Sequence, residues 1–115
     1  MMRLRSDIFV SALIRRVFSD GGFAAVEASG SPEAGAIFVR CRYRDGTESL
    51  FGPAPQSIFE DGEAAGDRLF EMRLEKAENE QVQALLAKER RFDSDLWIVE
   101  IEADDPLRYL GVRPA

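Results

Sequence analysis

Apolar and polar residues recur with two periods along this chain, and the switches between them mark its elements. Ser6 or Asp7 is placed to cap a helix running to about Ser19, which Gly21-Gly22 ends. Asp7, Ser11, Arg15 and Ser19 form a narrow polar stripe at i, i+4 spacing. Ile8, Phe9, Val10, Ala12, Leu13, Ile14, Val17 and Phe18 take most of the remaining circumference. An apolar arc that wide calls for more than one packing partner.

Strand periods follow. Phe23 to Ala28 reads as a strand, then Ser29-Gly30-Ser31-Pro32 and Gly35 as a turn region. Ala36 to Arg44 is the clearest strand, with Ile37, Val39, Cys41 and Tyr43 on one face and Arg40, Arg42 and Arg44 on the other. Asp45-Gly46 signals a two-residue hairpin, and Thr47 to Phe51 returns antiparallel. Gly52-Pro53-Ala54-Pro55 is expected to stop the pairing, because proline cannot donate to a ladder. Residues 60–67 read as a loop, and Arg68 to Glu75 alternates again. A second helix spans Asn79 to Arg91, with Val82, Leu85 and Leu86 on one stripe, and Asp95 to Ala103 is a last strand.

The expected fold is therefore α+β: a small bent antiparallel sheet of about five strands, an N-terminal helix, and a second helix before the last strand. The order also resembles Sm-like small barrels at the level of fold alone. With 115 residues and no linker or repeat, residues 1–115 are expected to form a single domain.

Composition narrows the chemistry. There is no histidine, which removes the usual neutral-pH base and the commonest metal ligand. The one cysteine, Cys41, excludes an internal disulfide and fits a reducing compartment, so a cytoplasmic location is expected. Neither a zinc site nor another metal centre or cofactor is implied. Ile8 to Phe18 is too short and too charged to span a bilayer and lacks the pattern of a secretory signal, so neither membrane insertion nor export is expected. The formal charge of −6 is uneven: residues 1–57 carry 7 basic and 6 acidic groups, residues 58–115 carry 8 and 15. An acidic balance disfavours nonspecific binding of nucleic acid.

Three surfaces remain as candidates. Arg40, Arg42 and Arg44 form a cationic stripe that could meet RNA or a nucleotide anion. Against this, Glu48, Glu71, Glu75, Glu100 and Glu102 also alternate on strands and outnumber the arginines as cross-strand partners. A candidate interaction surface comprises Arg15 and Arg16 of helix 1, Pro53, Pro55 and Gln56 of a proline-stiffened loop, and Arg90 and Arg91 if helix 2 packs alongside. The acidic groups Glu60, Asp61, Glu63, Asp93, Asp95, Asp104 and Asp105 match no calcium-loop spacing, though a pair such as Asp93 and Asp95 could serve a carboxylate-dependent enzyme with magnesium. Cys41 and Trp97 read as core residues.

Three segments carry a resemblance. Ser6-Asp7-Ile8-Phe9-Val10-Ser11-Ala12-Leu13, Gly52-Pro53-Ala54-Pro55-Gln56-Ser57 and Glu89 to Ile101 together resemble the bacterial domain-of-unknown-function 1491 family over nearly the whole chain. Ser94 stands where that pattern has proline. The resemblance implies no established activity. The first functional expectation is a non-enzymatic interaction module that associates with itself or with another protein. RNA or anion binding and a carboxylate enzyme follow as alternatives.

Overall fold

The computed structural model describes residues 4–55 and 68–113. Its elements are α1 (Ser6–Ser19), β1 (Phe23–Ala28), β2 (Ile37–Arg42), β3 (Glu48–Pro53), β4 (Leu69–Ala77), α2 (Asn79–Phe92), β5 (Trp97–Glu102) and β6 (Gly111–Val112). A 3-10 turn at Pro106–Arg108 precedes the last strand. The strands form one six-stranded sheet in the order β1-β5-β2-β3-β4-β6. β5 runs antiparallel to β1 and parallel to β2. β3 is antiparallel to both β2 and β4, and β6 is parallel to β4.

The α+β class and the two helices agree with the periodicity. The sheet, however, is mixed where all-antiparallel pairing was expected, and it is open, with β1 and β6 at its edges, so it is no small barrel. The cause is α2. Hairpin logic holds for strands joined by tight turns, but β5 follows a 14-residue helix that carries the chain back across the sheet. A crossover of that length allows parallel pairing. Ile37-Phe38-Val39 and Leu96-Trp97-Ile98-Val99 are buried without alternation, as strands covered on both sides must be.

Each face of the sheet has its own helix. Val10, Leu13 and Val17 of α1 pack with Ile37, Val39, Cys41, Phe51, Val99 and Ile101. Val82 and Leu86 of α2 pack with Phe38, Leu50, Leu96 and Ile98. Phe38 lies between Ile37 and Val39, so the strand pleat sends these two clusters to opposite faces.

Several local expectations change. Neither Ser6 nor Asp7 caps α1. Their amides donate instead to the carbonyls of Glu33 and Pro32, at 3.3 and 2.9 Å, and the buried Ser6 hydroxyl donates to the Gly35 carbonyl at 2.6 Å. The loop before β2 thus satisfies the open N-terminus of the helix. The same loop holds the start of β5: the Ser31 amide donates to the Asp95 carbonyl at 2.8 Å, and Trp97 Nε1 donates to the Ser31 carbonyl at 2.8 Å. β3 runs on to Pro53, since β4 still pairs there while the β2 register ends at Val39↔Phe51. α2 begins with a capping box between Glu78 and Gln81. The expected loop 60–67 lies outside the described residues.

Candidate functional site

The arginine stripe is split: Arg40 is buried, Arg42 is half-buried and Arg44 is exposed. Arg40 is 2% exposed, and Glu48, on β3, is 1% exposed. Arg40 Nε and Nη2 lie 2.8 and 2.7 Å from Glu48 Oε1, and Arg40 Nη1 lies 3.1 Å from Glu27 Oε1. Asn79 Nδ2, from the first turn of α2, donates to Glu48 Oε2 at 2.9 Å. Arg42 reaches Glu48 Oε2 at 3.5 Å and Glu100 Oε2 at 3.2 Å. Burial pushes the Glu48 carboxyl up, but the hydrogen bonds from Asn79 and Arg40 and the charges of Arg40 and Arg42 outweigh it and hold the pKa below the usual carboxylate value. This network ties β1, β2, β3, β5 and α2 together on one face. Of the three arginines, Arg44 alone makes no ion pair among the described residues.

The proline loop is occupied by its own chain. Arg73 Nη2 donates to the Pro53 carbonyl at 3.0 Å, and Arg113 Nη1 to the Pro55 carbonyl at 2.6 Å. The Arg73 guanidinium lies over the Phe38 ring, 5.4 Å from its centroid. Gly52 makes room for this, because a Cβ there would come within 2.7 Å of Phe38 and 2.9 Å of Arg73. Gln56, the last member of the loop surface, lies outside the described residues, as do Glu60, Asp61 and Glu63.

The remaining basic residues do not meet. Arg15 is exposed on α1, whereas Arg16 donates to the Arg108 carbonyl at 2.9 Å and lies over the Tyr109 ring. Arg90 and Arg91 are exposed in the last turn of α2. α1 and α2 cover opposite faces of the sheet, so the side-by-side packing that would join Arg15 and Arg16 to Arg90 and Arg91 does not occur. Asp93 is used locally, its Oδ1 accepting the Asp95 amide at 3.0 Å. No group of three or more His, Cys, Asp or Glu side chains gathers for a metal among the described residues.

A groove of about 770 Å³ opens at the carboxyl ends of β2 and β5. Its walls answer each other: Arg108 Nε pairs with Asp20 at 3.1 Å, and the Tyr109 hydroxyl donates to Asp20 at 2.8 Å. Cys41 stands apart from it, fully buried, its Sγ donating to the Ala103 carbonyl at 3.3 Å. Burial pushes the thiol up to about 11, so it is not a nucleophile at neutral pH.

Among the described residues, one surface that combines exposed apolar side chains with an open strand edge is the flank where α1 meets β1. Among the described residues β1 pairs only with β5, leaving its outer rim of backbone N–H and C=O groups open. Beside that rim Phe18 is 51% exposed, Phe23 43% and Val26 39%. The Phe18 and Phe23 rings meet edge to face at 5.9 Å. The wide apolar arc of helix 1 already signalled a surplus, since one face of one sheet consumes only Val10, Leu13 and Val17 fully. The exposure of Phe23 and Val26 has no signature in the sequence, because nothing in the six residues of β1 says that the strand lies at an edge.

An open six-stranded mixed sheet with one helix on each face is the class of protein that this geometry defines. Residues 4–111 match the model of a family described as protein of unknown function, DUF1491, and the chain belongs to that family. The solution structure of protein Atu0922 from A. tumefaciens is similar at 60% identity and a TM-score of 0.86, with 98% of each chain covered. The crystal structure of a DUF1491 family protein from Caulobacter crescentus CB15 is similar at 33% identity and a TM-score of 0.79, covering 98% of this chain and all of that one. An NMR structure of a DUF1491 family protein from the same organism agrees at the same TM-score of 0.79. No curated protein matches the chain significantly.

Proposed function

We propose that the chain is a non-enzymatic interaction module, acting in the cytoplasm as one folded unit, and that it receives a protein partner on the α1–β1 flank. One observation carries the reading: the Phe18–Phe23 ring pair and Val26 lie exposed beside a strand edge that no other described residues pair with. Large exposed apolar side chains beside a strand edge fit an association site, and an open edge adds main-chain hydrogen bonds for an extended partner. The non-enzymatic part draws on the missing histidine and on the burial of Cys41. A lone thiol also suits a reducing compartment. With Arg40 and Arg42 engaged by carboxylates, anion binding would rest on Arg44.

Photo-crosslinking in cells tests the reading. Ser11 is exposed on α1, seven residues and so about two turns before Phe18, whereas Gln83 is exposed on α2 across the sheet. A photoreactive residue at position 11 should give discrete protein adducts that Val26→Lys removes. Equal adducts from position 83, or none from position 11, contradict the reading.

A further inference from the structure

Resting on that reading, we propose that the partner on the α1–β1 flank is a second copy of this chain, paired β1 to β1 antiparallel about a two-fold axis. The two edges of the sheet differ. β6 is two residues long and offers almost no ladder, whereas β1 offers six residues without lysine or proline. Natural edges that stay single are usually blunted by such residues. A register shift between Val26 and Ala28 bends the end of β1, so pairing is confined to Phe23 through Val26.

Charge is the usual objection to pairing a strand with itself, and here it is met. The one ionisable side chain of β1 is Glu27, and its carboxylate is held by Arg40 at 3.1 Å. Two copies therefore bring an apolar, internally neutralised rim to each other. Because α1 covers the face of the sheet that holds Ala24, the same two-fold axis sets α1 beside its symmetry mate and covers Phe18 and Val26 together. An isologous contact of this kind closes at two copies instead of growing a filament.

Size sets the strength. A 14-residue helix and a six-residue strand each run about 20 Å. With pairing confined to Phe23 through Val26, their flank falls short of a standard partner surface of ~800 Å² per copy. A contact below standard size makes a weak, transient dimer. Each copy carries −6, so salt that screens their mutual repulsion strengthens this contact. A dimer joining the basic helix to the acidic half of another copy would weaken instead.

Sedimentation velocity of the full chain from about 10 to about 500 µM, at salt of about 0.05 and 0.5 M, decides the matter. A dimer a few-fold tighter at high salt is expected, loosened at least tenfold by Val26→Lys. Phe18→Ser, on the exposed side of α1, gives the same loosening should Val26→Lys not fold. A short bismaleimide should join two copies of Ala25→Cys but not of Gln83→Cys, since Cys41 is buried and does not compete. A strict monomer, a dimer loosened by salt, or equal crosslinking through position 83 overturns the inference. If the chain is monomeric while adducts at position 11 persist in cells, the partner is another protein and only the second-copy inference falls. If both are absent, the α1–β1 reading falls with it.

Discussion

The Arg40 guanidinium meets the Glu48 carboxylate at 2.7 Å with both side chains removed from water. Neutralising Glu48 leaves Arg40 buried with only the partly exposed Glu27 opposite it, at a cost of up to about 3–5 kcal/mol. Glu48→Gln should therefore lower the unfolding free energy by about that much, measured by urea denaturation. The double change Arg40→Met with Glu48→Leu should cost less than Glu48→Gln alone, because no buried charge is left unanswered. The unfolding should remain a single transition, as one sheet joins every strand.

The same carboxylate predicts a pH dependence. Its folded pKa lies below its ordinary value, so it contributes stability that is present above the unfolded pKa of about 4.3. That contribution is lost as pH falls through the lower folded pKa. Melting temperature should hold near neutral pH and drop steeply below about pH 4.5. In Glu48→Gln, already weaker, the acid limb should be shallower. Acid limbs of equal steepness would show that other carboxylates govern the drop.

Two glycines lock the loop that holds both α1 and β5. A Cβ on Gly30 would collide with the Asp95 carbonyl, and one on Gly35 would come within 2.5 Å of the same oxygen. Backbone cannot yield cheaply there, so Gly30→Ala should cost more than about 3 kcal/mol. Gly21, at φ +86 with open space around it, is the contrast: Gly21→Ala should cost about 1 kcal/mol through backbone conformation alone. Thermal unfolding of the two alanine variants orders them directly, and a mild Gly30→Ala would contradict the clamp.

Cys41 should resist alkylation in the native state. Its thiol is buried and pushed up to about 11. Labelling by N-ethylmaleimide at neutral pH should occur only as fast as the protein unfolds and should accelerate with urea. Rapid stoichiometric labelling without denaturant would mean that the β2–β5 face opens freely.

Much of this was legible in the chain. Both helices, a hairpin around Asp45-Gly46 and the core placement of Cys41 and Trp97 follow from periodicity and turn chemistry. The turn, however, closes between Tyr43 and Thr47 over three residues, with Gly46 at φ +89, where a two-residue loop was expected. The abundance of strand glutamates foretold that Arg40 and Arg42 would be paired. Periodicity could not show the parallel β2–β5 pairing, because a helix between strands erases direction. It also missed β6, since two residues carry no period. The burial of Glu48 was hidden for another reason: its partner Asn79 lies 31 positions away. The flank of Phe18, Phe23 and Val26 became visible only when the strand order placed β1 at an edge.

The central claim is that association uses the α1–β1 flank, and a backbone amide spectrum recorded over a dilution series tests it most directly. Shifts should gather on Ile14, Phe18 and Phe23 through Val26, and leave Arg90, Arg91 and the 81%-exposed Phe92 unmoved. Shifts centred on the tip of α2 instead would contradict the account.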